Sequence, residues 1–258
     1  MKKTSSSVAV IRRSPASLTR ADRDRIEQFI RHHSDWKREH LDEVLDASTY
    51  VWLCQDEAGR IVGTTAVRRL EAQLGGRAVT VIYTAVVAVD HAYRRLGLVP
   101  RMGMKSYLVE RLRTPLRPIY WLALAGSPAG YAQMARNFVT YWPRPGVAIP
   151  DGPRAVLEQS LAALGARNIV EVEGCYVLRD DDFGVLDKDQ DPERWNGADP
   201  DAGFFFRVNP EYRSGHDLAC LCPLGLVPLA KALVVRALFP TRRTASRFET
   251  QKPRPVTS

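Results

Sequence analysis

Along the first half of the chain, apolar positions recur with periods of about two and about 3.6 residues, the signatures of strand and helix. SVAVIRR (Ser7–Arg13) predicts a short strand. SLTRADRDRIEQFIRHHS opens with Thr19 and Asp22 in a cap pattern, then sets Ile26, Phe29 and Ile30 on one helical face. DWKREHLDEVLDAS repeats the helical period with Trp36, Leu41, Val44 and Leu45. Tyr50–Gln55 and Ile61–Leu70 predict a hairpin about Asp56-Glu57-Ala58-Gly59, and RAVTVIYTAVVAV predicts a long strand. PRMGMKSYLVERLR predicts a helix with Pro100 at its first position and Met104, Tyr107, Leu108 and Leu112 as its apolar face. PIYWLALAG reads as a buried strand, and SPAGYAQMARNFVTYW as a helix starting after Ser127-Pro128. The order is therefore β-α-α-β-β-β-α-β-α.

The second half is less regular. PRPGVAIPD is a connection, GPRAVLEQSLAALG a helix ended by Gly165, and NIVEVEGCYVLRD a strand. DDDFGVLDKDQDPERWNGADPDAG reads as an acidic loop, and GFFFRVNPEYRSG as strand and turn. Asp187, Asp189 and Asp191 have calcium-loop spacing, but Pro192 and Ala198 fall where the loop needs glycine and glutamate, so no metal is expected. LACLCPLGLVPLAKALVVRALFP follows, with a helix expected over Pro228–Phe239 because Pro223 and Pro228 interrupt the run. A basic tail ends the chain.

Composition narrows the partners. An excess of 37 Lys and Arg over 29 Asp and Glu favours anionic ligands, yet the basic residues are scattered and carry no nucleic-acid motif. Cys54, Cys175, Cys220 and Cys222 sit in apolar stretches without zinc spacing, which predicts buried free thiols and a reducing, cytoplasmic setting. The apolar run Val8–Ile11 is too short for a signal peptide core.

The chemistry concentrates in VDHAYRRLGLVPRM, where a strand feeds a basic, glycine-bearing turn and then a helix. Backbone N–H groups at such a helix start form an anion site, and Arg94, Arg95 and Arg101 would add charged donors. An ordinary βα turn with solvated arginines fits the local motif equally.

In its context, this block resembles the GNAT superfamily of N-acyltransferases, whose signature Arg/Gln-x-x-Gly-x-Gly/Ala lies between the fourth strand and the third helix. Arg94, Gly97 and Val99 fall on the signature positions, with valine where the family prefers a small residue. The resemblance covers about residues 6–142 and includes the element order. It implies an α/β (α+β) fold, a mixed, largely antiparallel central sheet with splayed strands flanked by helices, plus a C-terminal extension. It also implies an acyl donor, coenzyme A thioester or acyl carrier protein, as co-substrate rather than a bound cofactor. Val87, Ala88 and Val89 would face the pantetheine arm, and the N–H groups of Arg95, Leu96, Gly97, Leu98 and Val99 would hold the pyrophosphate. An amine on a small molecule or peptide would attack the thioester directly.

The general acid and base are open. Tyr83 and Thr84 occupy the strand stretch where many members carry a glutamate, and Gln133 falls at the usual tyrosine position. Tyr131 and Tyr141 lie near it, though a packed aromatic with its hydroxyl bonded locally is the better reading of each, and Glu71 ends a strand; with Tyr83 these are the candidates.

Three parts are expected: a donor-binding core over 1–142, a part over 143–240 that completes the sheet and the acceptor or acyl pocket, and a tail over 241–258. The apolar C-terminal run reads as a core helix, as the wall of a long-chain tunnel, or as a peripheral membrane contact aided by the basic tail. In a tunnel each buried methylene would favour a longer acyl chain by about 0.8 kcal/mol. The rival functions are a small-donor acetyltransferase acting on an amino acid, antibiotic or polyamine, and a non-catalytic acyl-coenzyme A or partner-binding module.

Overall fold

The β-α-α-β-β-β-α-β-α order is present in the computed structural model, which describes residues 7–33, 38–179 and 199–225. Its elements are β1 (Ala9–Arg13), α1 (Arg20–His33), α2 (Arg38–Asp46), β2 (Tyr50–Gln55), β3 (Ile61–Leu74), β4 (Arg77–Val89), α3 (Leu98–Arg113), β5 (Ile119–Ala125) and α4 (Pro128–Asn137). There follow α5 (Asp151–Leu164), β6 (Ile169–Val172), β7 (Cys175–Leu178), α6 (Pro200–Val208) and β8 (Asp217–Leu224). Among the described residues the strands form one mixed sheet, ordered β1-β2-β3-β4-β5-β8-β7-β6. Only β4 and β5 run parallel, joined by the crossover through α3; every other pair is antiparallel.

Strand alternation divides the core. Val79, Val81, Leu122 and Leu221 face α5, and Val51, Ala66 and Ala85 on the same side meet α1 and α2. On the opposite side Ile82, Val89 and Ile119 pack on α3, while Leu218, Cys220 and Cys222 pack with Tyr131 of α4 and Phe205 of α6. All four cysteines are free and buried.

Several elements differ from expectation. α3 starts at Leu98, so Pro100 is its third residue rather than its first. Its buried line runs through Leu98, Met102, Ser106, Tyr107 and Glu110, leaving Leu108 and Leu112 exposed. Two polar residues on the inner face hid that line: Ser106 Oγ accepts the Trp52 indole N–H at 2.8 Å, and Glu110 meets Arg69 Nε at 3.1 Å. NIVEVEGCYVLRD is two strands rather than one, because Glu173 and Gly174, both at positive φ, turn the chain back between them. GFFFRV belongs to helix α6, which Asp199 caps by accepting the Asp201 and Ala202 N–H groups, with Pro200 in its first turn. LACLCPL is strand β8, inserted between β5 and β7 and buried on both faces. The stretch 180–198, the run expected to be helical over Pro228–Phe239, the tail over 241–258 and Trp36 lie outside the described residues.

No helix among the described residues is long and apolar enough to cross a membrane.

Candidate active site

The site begins where β4 leaves β5. The two strands pair from Thr80↔Ile119 to Thr84↔Ala123, and beyond that β4 continues to Val89 without β5 beside it. A bulge explains the parting. Against β3 the register steps from Ala66↔Ala85 to Thr64↔Ala88, three residues of β4 against two of β3. Val86 accommodates the extra residue at φ 53°, a conformation that β-branched side chains rarely adopt. The Thr65 hydroxyl, opposite the bulge, donates to the Ala85 carbonyl at 3.2 Å. Val87, Ala88 and Val89 therefore lie on the diverged part of β4.

On the α3 side of the fork, the Trp121 indole N–H donates to Thr84 Oγ1 at 2.8 Å, and the indole packs on Phe138 with ring centroids 5.2 Å apart. Beyond Val89, Asp90 accepts the Ala92 N–H and opens a 3₁₀ turn over His91–Leu96. Gly97, at φ 66° and ψ 36°, ends that turn and caps α3, a left-handed position that suits glycine. The first N–H groups of a helix have no intrahelical acceptor, so those of Leu98 and Val99 face forward while Pro100 supplies none. Arg95 and Leu96 sit within the 3₁₀ turn. Arg94 Nε donates to the Val89 carbonyl at 3.3 Å and an Arg101 guanidinium N–H to that of Val8 at 3.2 Å, which ties both arginines to strand ends. Val99 leans on the core beneath α3.

On the opposite face of the sheet, a cavity of about 190 Å³ opens over the point of divergence, with Tyr83 and Ala85 of β4 and Leu124 of β5 in its wall. Its other walls come from the ends of α2 and α5, including Val44 and Leu164. Four polar residues line it, Ser48, Arg68, Tyr83 and Asp217, and the Ser48 hydroxyl donates to the Val44 carbonyl at 2.6 Å. Arg68 is the cross-strand partner of Tyr83, and its guanidinium donates to the Ala163 carbonyl at 3.1 Å. Asp217 opens β8 opposite Leu178. Burial, and then the negative charge of Asp217, push the Tyr83 phenol well above its ordinary range, with Arg68 opposing. Tyr83 thus stays protonated at neutral pH.

Of the four catalytic candidates the structure brings Tyr83 alone to the cavity. Tyr131 is fully buried and donates its hydroxyl proton to the Pro143 carbonyl at 2.9 Å; burial pushes its phenol up. Tyr141 packs beside it, ring centroids 6.2 Å apart, and burial raises it as well. Glu71 pairs with Thr80 at the other end of the β4–β5 contact; bonds from Arg117 and Arg69 lower its carboxyl. Arg68 and Asp217 escaped the sequence reading. The one available signal for Asp217 was an acid at the head of an otherwise apolar run. Among the described residues no cluster of three metal-ligating side chains occurs.

No protein-family model matches the chain, and no curated protein matches it. Solved structures do. A conserved protein of Enterococcus faecalis V583 named as a probable N-acyltransferase matches at 11% identity and a TM-score of 0.39, over 52% of this chain and 32% of its own, so less than a third of that protein is spanned. A GNAT-family N-acetyltransferase of Escherichia coli in complex with CoA matches at 18% identity and a TM-score of 0.35, over 55% of this chain and 76% of its own. An acyl-CoA N-acyltransferase of Pseudomonas aeruginosa matches at 13% identity and a TM-score of 0.38, over 50% and 86%. These are likenesses of fold over about half of the chain.

Proposed function

We propose that the protein is an N-acyltransferase that moves an acyl group from a coenzyme A thioester, or from the same arm on an acyl carrier protein, to an amine. The observation that carries this reading is the fork between β4 and β5, which opens on one face toward the Gly97 turn and on the other toward the cavity. The N–H groups of Gly97, Leu98 and Val99 would hold the pyrophosphate, and Arg95 would add charge. The pantetheine arm would run along Val87–Val89, where β4 lacks β5, and its amides would bond the strand edge that β5 leaves. The thioester carbonyl would then lie in the fork, with the acceptor in the cavity.

Asp217 would draw the incoming ammonium into the cavity, where a first proton passes from the nitrogen to solvent. The neutral amine nitrogen bonds to the thioester carbon, the C–S bond breaks, and the thiolate leaves with a proton from Tyr83. The second N–H proton then passes from the nitrogen to Tyr83 through water, which leaves a neutral amide and a free thiol. In this reading residues 1–142 carry the donor side, and the part beyond them supplies Asp217.

Purified full-length protein titrated calorimetrically with coenzyme A, and assayed for thiol release from acetyl, octanoyl and palmitoyl donors, tests the proposal. Binding together with amine-dependent thiol release is the expected result. Binding without release to any amine would leave only a binding module, and absence of binding to either donor class would end the proposal.

A further inference from the structure

We infer that the outer face of α3 is a docking surface for an anionic lipid bilayer, built from a ridge of leucines set among cations. The inference does not depend on the acyltransferase reading, because the ridge lies at the end of α3 away from the Gly97 turn.

The sequence period places Leu108 and Leu112 on the apolar face of α3, and the structure turns both to solvent. Leu108, Leu112 and Leu116, each four residues from the next, are 48%, 81% and 96% exposed. A spacing of four stacks the first two along one line of the helix, and Leu116 prolongs the line in the turn that follows. That turn is pinned. The Arg111 guanidinium donates to the Pro115 carbonyl at 2.8 Å, to the Arg117 carbonyl at 3.0 Å and to the Tyr107 hydroxyl at 3.2 Å. Leu116 is therefore held outward by a fixed loop. Single exposed leucines are ordinary, but a graded line of three marks an interaction surface.

The charges around the ridge have one sign. Arg101 and Lys105 continue the same helical line toward the N-terminus, and both are exposed. The Lys105 ammonium stands 5.7 Å from the centre of the Trp52 ring, so its stem covers aromatic surface while its head meets water. Glu110, the one acid of α3, is fully buried and meets Arg69 Nε at 3.1 Å on the inner face. Glu71, near the end of the helix, is taken up by Arg69 at 2.8 Å and Arg117 at 2.9 Å. An apolar, cationic face without an acid matches an interfacial helix: acyl chains receive the leucines and lipid phosphates receive the cations.

Other occupants fit less well. The chain continues from Leu224, which pairs with Ile119 just beyond the α3 turn. Residues 226–239 are apolar enough to cover the ridge, but they carry Lys231 and Arg236 and no acid, so they would bring positive charge to a cationic face. A protein partner would need an acidic groove shaped to a convex ridge, whereas a bilayer accepts such a ridge without one.

The full-length protein is co-sedimented with vesicles of phosphatidylcholine alone and of equimolar phosphatidylcholine and phosphatidylglycerol. Binding to the anionic vesicles is expected to be about tenfold tighter or more, and to weaken as salt is raised. Leu112→Gln combined with Leu116→Gln should weaken it about tenfold or more, and Lys105→Gln about fivefold. Melting temperature and coenzyme A affinity should stay at the parent values in both variants. Equal binding to the two vesicle types, or none, overturns the inference. Undiminished binding by the leucine variant does so too, since the contact would then lie elsewhere. A leucine variant that melts several degrees below the parent without vesicles would show that the chain itself covers the ridge, which also overturns it. So would a soluble acidic acyl carrier protein that binds the parent more tightly than vesicles do and loses that affinity in the leucine variant. Vesicle binding without acyl transfer would leave the docking surface standing and remove the acyltransferase reading.

Discussion

Trp121 on β5 and Thr84 on β4 are joined by an indole N–H to hydroxyl hydrogen bond of 2.8 Å at the last register before the strands part. The bond ties the two strands together where the fork begins. Below it the ladder closes the gap, and above it the bulge at Val86 carries β4 away. Replacing Trp121 with Phe keeps an aromatic ring against Phe138 but leaves Thr84 without this donor. The expected cost is about 1 kcal/mol of stability, seen as a lower urea midpoint. The donor KM should rise severalfold, because the crotch of the fork loses its fixed position, and an unchanged KM would show that the bond plays no part in shaping the donor channel.

Gly97 offers a sharper test of the donor cradle. Its φ of 66° costs an L-residue about 1–2 kcal/mol, and a Cβ there would stand where the pyrophosphate is proposed to lie. Gly97→Val should lower the melting temperature modestly and weaken coenzyme A binding by tenfold or more in calorimetry. Retained affinity would remove the cradle.

Tyr83 and Tyr131 separate catalysis from packing. Tyr83→Phe deletes the hydroxyl proposed to donate the proton and should lower kcat about a hundredfold with little change in donor KM. Tyr131→Phe deletes a bond to the Pro143 carbonyl deep in the core, so it should cost about 1 kcal/mol of stability and leave kcat within about twofold. The reverse pattern in paired kinetics and denaturation would return Tyr131 to the chemistry.

The buried thiols predict an alkaline weakness. Burial pushes Cys54 and Cys175 up to about 11, and Cys220 and Cys222 well above the ordinary range. The folded state therefore keeps protons that the unfolded chain, with thiols near 8.5, releases. This contribution is whole below about pH 8.5 and is lost as pH climbs toward 11. Melting temperature should fall steadily across that window, and replacing Cys54 with Ala should flatten part of the slope. Thiol titration of the native protein at neutral pH should be slow.

Legibility followed locality. The element order through residue 137 could be read because each strand and helix there advertises its own period and cap, as in Thr19 with Asp22 and Ser127 with Gly130. The turn at Gly97 was legible for the same reason: one residue and its neighbours determine it. α6 was misread because GFFFRV looks like a strand until Asp199 and Pro200 are recognised as a helix start. Glu71 looked available because one of the partners that occupy it, Arg117, lies 46 positions along the chain, while Arg69 two residues away on β3 reads as a solvated strand arginine. The cavity was least legible. Arg68 and Asp217 are 149 positions apart in the chain and meet Tyr83 only through cross-strand pairing and the insertion of β8.

That insertion also governs how the chain survives its own synthesis. β5 is made about a hundred residues before β8, and until β8 arrives one side of Ile-Tyr-Trp-Leu-Ala-Leu-Ala is an open edge of unpaired backbone beside apolar faces. A chain halted short of Asp217 would have the turn proposed to hold the donor and all six described helices, yet it would display a segment suited to strand-by-strand association with other chains. Completing the cavity wall and closing the aggregation-prone edge are thus a single event in folding.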